Sequence, residues 1–158
     1  MDLEQIYTLY FNDLYRYLFS LTRNHFETED LVQDTFTKAH IVLLASEITE
    51  IKPWLFKVAY YTFIDRFRKK KSYVTMDEFF QADTHTPEDI LIEKDSFLEL
   101  LGYLDRIKPM EKQAILLCDL HDCTNEQAAG ILNLKLNTFK SHLARGRKRV
   151  RKLLEEDT

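Results

Sequence analysis

The sequence predicts an all-α protein of two small helical domains joined by an acidic linker, and three observations lead there. The 158 residues contain only 3 Gly and 3 Pro, so few positions break a helix. Apolar residues recur at helical spacing through most of the chain. Charge is segregated. Lys52 to Lys71 carries seven Lys or Arg against Asp65 alone, and Lys135 to Lys152 carries eight with no carboxylate. Between them, Asp77 to Glu99 holds eight carboxylates and one Lys. A net charge of −4 averages these blocks away, although each basic block is the footprint of a nucleic-acid surface.

The first helix is expected from about Asp2 to Arg23, with Ile6, Leu9, Tyr10, Leu14, Tyr17, Leu18 and Leu21 as its apolar stripe. Asn24-His25 interrupts it, and Thr28 can cap a second helix from about Glu29 to Leu44. That helix offers Leu31, Thr35, Ala39 and Val42 or Leu43 to the core, and Asp30, Gln33, Asp34 and Thr37 elsewhere. A third helix begins near Pro53, which suits a first turn, and continues to about Lys70. Leu55, Phe56, Ala59, Tyr60, Phe63, Ile64 and Phe67 fall on its broad apolar side. Trp54, Lys57, Val58, Tyr61, Asp65 and Arg68 fall on the other, with Lys69 to Lys71 following. Rings mixed with cations fit single-stranded nucleic acid, because bases stack on the rings while cations follow the backbone. The same rings could instead close the edge of a small core.

Ser72 to Asp95 loses helical periodicity and reads as a tether, with a short turn at Asp77-Glu-Phe-Phe. Helices resume at about Glu88–Ile107, Pro109–Leu120, Asn125–Leu132 and Thr138–Glu155. The last two form a helix-turn-helix. Thr124 and Gln127 have the spacing of a capping box. Ala128, Ile131 and Leu132 supply the buried side, and Ala129 and Gly130 permit a close crossing. Phe139, Leu143, Gly146 and Val150 form the inward stripe of the second helix. Lys140, Ser141, Ala144, Arg145, Lys148 and Arg151 face outward, the small residues central and the cations flanking. That face suits a major groove, with bases near Ser141 and Ala144 and phosphates on the cations.

Other function classes find little support. No apolar run approaches the ~20 residues that span a bilayer. Met-Asp-Leu-Glu-Gln lacks the basic, apolar character of a secretory signal, so a cytoplasmic protein is expected. Cys118, His121 and Cys123 are too tightly spaced for a usual zinc set, and Cys118 lies in an apolar helix, so structural thiols are expected. No phosphate-cradling Gly loop and no nucleophile motif occurs. Asp30 and Asp34 share a helix face and could bind Mg²⁺ in a nuclease, but no further carboxylate cluster joins them. Neither an enzyme, a cofactor, a resident metal nor a small-molecule substrate is expected.

Asp30-Leu-Val-Gln-Asp-Thr-Phe, Pro53-Trp-Leu-Phe-Lys-Val-Ala with Asp65 and its basic run, Thr86-Pro-Glu, and the C-terminal helix-turn-helix occur in an order that resembles the extracytoplasmic-function sigma factors of bacteria. The resemblance spans nearly the whole chain. It implies a sigma region 2 domain of three to four helices (1–72), an acidic flexible linker (73–95) and a region 4 helix-turn-helix domain (96–158). It also implies a specificity subunit of RNA polymerase without catalysis of its own. Asp30, Gln33, Asp34, Phe36 and Thr37 would then dock on the clamp helices of the largest polymerase subunit. The loop Ser46 to Lys52, with Trp54, Lys57, Tyr61, Asp65, Arg68 and Lys69, would open and read the −10 element. Lys140, Ser141, His142, Ala144, Arg145, Lys148 and Arg149 would serve the −35 element, and Arg147 to Arg149 would add phosphate contacts or meet the flap. The tether from Tyr73 to Asp95 would pass toward the RNA-exit path. An anti-sigma factor would be a further partner. The family often has Asn, Arg and Gly-Thr-Val where this chain has Tyr61, His142 and Asn137-Thr138-Phe139. The alternative is a helix-turn-helix regulator that binds duplex DNA without polymerase, which the C-terminal domain alone could perform.

Overall fold

The computed structural model describes residues 2–71 and 94–158, which fall into two compact units. The described residues are helical with connecting turns and contain no strand. Both follow from a chain poor in Gly and Pro and rich in 3.6-period apolar stripes.

The N-terminal unit consists of α1 (Leu3–Thr22), α2 (His25–Ala45) and α3 (Ile51–Lys71). Asp2 starts α1 through a capping box, its carboxylate accepting from Gln5 N–H at 2.9 Å while Gln5 Oε1 accepts from Asp2 N–H at 3.0 Å. Arg23 ends it in the left-handed region (φ 54°), donating its N–H to Phe19 O at 2.8 Å. The second half of α1 is buried almost all round, at Leu14, Tyr15, Tyr17, Leu18, Phe19 and Ser20, because α2 and α3 both pack on it. Leu31, Val32, Phe36 and Ala39 of α2 and Leu55, Phe56, Ala59 and Tyr60 of α3 complete the core. Tyr17 and Phe56 meet with ring centroids 5.1 Å apart.

Several polar groups inside this core are paired. Tyr15 and His25 share a 2.7 Å hydrogen bond, and Thr22 and Thr28 hydroxyls lie 2.8 Å apart. The Lys38 ammonium donates to the buried Thr62 hydroxyl at 3.1 Å. Burial without such partners would cost roughly 1–3 kcal/mol for each group.

Two sequence expectations need correction here. Leu9 is 57% exposed, because the buried arc of α1 centres between Leu14 and Leu18 and takes in Tyr15 instead. Asn24 caps α2, accepting from Glu27 N–H at 2.9 Å, so the helix begins four residues before Glu29 and Thr28 is buried inside its first turn. Thr28 donates its hydroxyl to Asn24 O at 2.7 Å. Of the two alternatives for the end of the α2 stripe, Val42 is 38% exposed and Leu43 is half-buried.

The C-terminal unit consists of α4 (Lys94–Leu104), α5 (Pro109–Ile115), one π-helical turn (Leu116–Leu120), α6 (Asn125–Leu132) and α7 (Leu136–Glu156). Phe97, Leu101 and Leu104 of α4 join Ala114 to Leu117, Ala128, Ile131, Leu132, Phe139 and Leu143 in its core. Thr124 and Gln127 form the capping box of α6, with reciprocal bonds of 3.1 and 2.9 Å. Asn133 closes α6 in the left-handed region (φ 56°), where Asn is one of the tolerated residues. α7 then crosses α5 closely.

Gly146, and not Gly130, permits that crossing. A Cβ on Gly146 would stand 3.0 Å from Glu111 Cβ, 3.1 Å from Ile115 Cδ1 and 3.2 Å from Glu111 O. Gly130 is exposed, with open space where its Cβ would be. Residues 72–93 of the expected tether, including the turn at Asp77-Glu-Phe-Phe, lie outside the described residues, while its last two, Lys94 and Asp95, are helical and open α4.

The two glycines should therefore respond oppositely to added bulk. Gly146→Val is expected to cost about 1–3 kcal/mol by overpacking against backbone. Gly130→Ala should be neutral or stabilise by up to about 1 kcal/mol through helix propensity. Urea melts of the two variants check both signs.

Candidate nucleic-acid interface

Two faces carry the charge that the sequence segregates, one in each unit. On α3, Lys57, Asp65, Arg68 and Lys69 are exposed, while Trp54 and Tyr61 are half-buried. Asp65 accepts from Arg68 Nη2 at 2.9 Å, which holds that guanidinium along the helix surface. The Tyr61 ring stands edge-on to Tyr60 with centroids 5.4 Å apart. The core and the nucleic-acid readings of these rings are thus compatible: one edge packs and the other reaches water. Phe63, Ile64 and Phe67, expected in the core, are also only half-buried.

The acidic helix α2 exposes Asp30, Gln33, Asp34 and Thr37 together. Phe36 is not part of that surface. It is 5% exposed and its ring lies 4.8 Å from that of Tyr7, so it belongs to the core. Asp34 is ion-paired with Arg66 of α3, and Glu27 lies 4.0 Å from the same guanidinium. Near the end of the same helix Ile41 and Leu44 are 63% and 76% exposed and form an apolar rim.

On α7 the outward face is as the periodicity predicts. Lys140, Ser141, Ala144, Arg145, Lys148 and Arg151 are exposed; Phe139, Leu143 and Gly146 are buried. The Ser141 hydroxyl donates to Asn137 O at 3.1 Å, which leaves its oxygen as an acceptor toward solvent. His142 is half-buried, and its Nδ1 is buried without a hydrogen-bond partner.

Three arginines of α7 meet carboxylates within the unit, two of them through hydrogen bonds. Arg149 Nη1 donates to both oxygens of Glu111, at 2.8 and 2.7 Å. Glu111 itself is fully buried, and its Oε1 also accepts from Lys108 N–H at 3.2 Å. Arg145 Nε lies 3.9 Å from the same carboxylate. Arg147 is bonded to Asp119 in a two-point fork, Nε to Oδ2 at 3.0 Å and Nη2 to Oδ1 at 2.6 Å, and that bonding raises its pKa further. Arg149, which the resemblance gave to the −35 element, thus holds a buried carboxylate of its own unit. Sequence reasoning missed Glu111 because a carboxylate in the first turn of a helix reads as a solvated end-charge.

The cysteines are free thiols. Cys118 Sγ lies 3.6 Å from Asn125 Oδ1, and burial pushes its pKa up. Among the described residues, no cluster of three or more His, Cys, Asp or Glu is arranged to hold a metal ion, and no helix is long and apolar enough to cross a membrane.

The arrangement compares closely with known proteins. The Sigma-70 region 2 family matches residues 6–73, and the family described as Sigma-70, region 4 matches residues 97–150. The ECF RNA polymerase sigma factor SigM of Bacillus subtilis is 35% identical over 158 residues, covering 97% of this chain and 95% of SigM. The RNA polymerase sigma factor YlaC of the same organism is 29% identical, covering 96% and 91%. Among solved structures, the sigma factor RpoE of Bartonella quintana, in complex with the anti-sigma factor NepR, aligns with a TM-score of 0.82 at 28% identity, covering 98% of each chain. Two helical units, each with its matched region, define a sigma factor of the sigma-70 type. The chain belongs to the extracytoplasmic-function sigma factors: it is an RNA polymerase subunit that directs promoter-specific initiation by recognising −10 and −35 elements.

The engaged arginine gives a direct test of the packing. Arg149→Met leaves Glu111 buried without its main partner. A fully buried pair would lose 3–5 kcal/mol, but this guanidinium is 42% exposed, so about 2 kcal/mol is expected. Adding Glu111→Leu should recover most of it, less about 1 kcal/mol for the lost Lys108 bond. Denaturant melts of the single and double variants read the difference.

Proposed function

We propose a division of labour between the two units, with region 2 as residues 1–72, a linker at 73–95 and region 4 as 96–158. Asp30, Gln33, Asp34 and Thr37 of α2 dock on the clamp helices of core polymerase. Trp54, Lys57, Tyr61, Asp65, Arg68 and Lys69, with the loop from Ser46 to Lys52, hold the opened −10 strand. Lys140, Ser141, His142, Ala144, Arg145 and Lys148 meet the −35 duplex. The observation that carries this is the pairing, in one chain, of a ring-and-cation face on α3 with a small-centred cationic face on α7. The first suits unpaired bases and the second a major groove. A regulator that binds only duplex DNA requires no face like that of α3.

The protein has no catalysis of its own in this reading; polymerase supplies the chemistry. It acts in the cytoplasm, where polymerase and chromosome are. RpoE is held by an anti-sigma factor in its solved complex, and an anti-sigma factor is proposed here also, covering the polymerase-docking face of α2. Each unit alone makes few phosphate contacts and binds DNA weakly at physiological salt. Joined on one polymerase, the second contact becomes intramolecular, which raises avidity by roughly 10²–10⁴-fold.

Run-off transcription with core polymerase and a pool of bacterial promoter fragments tests this. Asp30→Arg is the informative variant, because Asp34 already faces Arg66 and a new cation there would also strain the fold. Promoter-specific transcripts should appear with the wild-type chain. They should fall at least tenfold with Asp30→Arg, as expected when one like-charge contact costs several kcal/mol. Unchanged output from Asp30→Arg would remove α2 as the docking face.

A further inference from the structure

Arg147 and Arg149 lie two positions apart on α7, so at 100° per residue they stand about 160° apart around its axis. They therefore bracket the buried stripe of Phe139, Leu143 and Gly146 from opposite edges. Both are taken by carboxylates from one helical run. Glu111, at the start of α5, holds Arg149, and Asp119, in the π-helical turn that continues α5, holds Arg147. The wider turn sets where Asp119 falls; its closing bond runs from His121 N–H to Leu116 O at 3.1 Å. Rolling α7 about its axis would stretch one pair and crowd the other. Gly146, seated between the two pins, removes the side chain that would otherwise hold the helix off.

We propose that Arg147 and Arg149 are positioning residues, which fix the roll of α7 and so aim Ser141 and Ala144 at the −35 bases, and that neither is a phosphate contact. The proposal rests on α7 being the −35 helix. It places base discrimination partly in residues that touch no base. It also assigns Asp119, an acidic residue beside a DNA-binding face, a favourable role in DNA recognition. Simple electrostatics gives Asp119 the opposite sign, because a carboxylate near DNA repels phosphate.

That difference in sign makes the test. Asp119 and Arg147 side chains are 36% and 47% exposed, so Asp119→Asn and Arg147→Met should fold, which a thermal melt verifies. Holoenzyme carrying each variant, the double variant or Lys148→Met is titrated with a promoter fragment recovered from the run-off pool. The titration is repeated with single-base −35 changes, across a series of salt concentrations. Asp119→Asn and Arg147→Met should each lower discrimination between the parent and altered −35 sequences by roughly two- to fivefold. That is the bias one exposed bidentate pair can exert. The double variant should go no further, and the salt slope should not change. Lys148→Met, by contrast, should reduce the slope by about 0.9 and leave discrimination in place.

Tighter binding and a steeper slope with Asp119→Asn would overturn the proposal, since releasing Arg147 would then have created a phosphate contact. A slope reduced by about 0.9 with Arg147→Met alone would overturn it too. If Lys148→Met changes neither affinity nor slope, α7 is not the −35 helix, and the underlying reading fails first.

Discussion

A carboxylate with no solvent exposure organises the C-terminal unit. Glu111 is fully buried beneath α7, and an ionised group there is tolerable only if it is paired and hydrogen-bonded. The rest of the packing meets that demand. Arg149 reaches it with two bonds and Lys108 N–H supplies a third, which also satisfies a free donor at the start of α5. Gly146 brings the α7 backbone close enough for Arg149 to reach, and Asp119 secures the opposite edge through Arg147. Among the described residues, the N-terminal unit has no counterpart to this. Its buried polar groups are mostly uncharged, and hydrogen bonds such as Tyr15–His25 and Thr22–Thr28 satisfy them. Pairs of that kind fix neighbouring helices without the desolvation cost of a buried ion.

Charge counted along the sequence overstates the charge available to DNA. Eight cations lie between Lys135 and Lys152, yet Arg147 and Arg149 are committed to carboxylates of the same unit. The cations nearest the small residues Ser141 and Ala144 are Lys140, Arg145 and Lys148, all exposed. On α3 a similar sorting occurs: Arg66 turns to Asp34 and Glu27, while Lys57 and Lys69 stay exposed. Fewer free cations mean a shallower salt dependence for each unit by itself. This favours a protein whose promoter affinity is assembled on polymerase over one that binds DNA strongly alone.

Periodicity and end-caps made the helical class and the helix-turn-helix legible in the sequence. Thr124 with Gln127, and the inward stripe of Phe139, Leu143 and Gly146, with Val150 half-buried at its end, need only local chemistry, and the structure has them. The failures share a cause, since each depends on a neighbour that sequence does not place. Phe36 reads as available on an acidic helix until Tyr7 of α1 covers it. Leu9 fits a stripe whose centre is decided by where α2 and α3 pack. Thr28 is a good cap residue, but Asn24 stands earlier and takes the role. Arg149 reads as a free cation available to phosphate until a carboxylate 38 positions away claims it. For the site as a whole, the exposed faces were readable and the pairing among charges was not.

That pairing bears on how α2 can dock. A partner cation approaching Asp34 meets Arg66 already in place, so the two must share the carboxylate or one must leave. Asp34 is 51% exposed, and exposed pairs contribute only about 0–1 kcal/mol, so exchanging one cation for another changes little free energy. Charge on this face can therefore orient a partner and reject wrong ones, but it supplies little affinity. Affinity needs apolar area. Ile41 and Leu44, 63% and 76% exposed near the end of α2, offer it, as does Phe26 at the other end of the helix. A polymerase surface that docks on α2 through both the carboxylates and this apolar rim would gain orientation from the first and stability from the second.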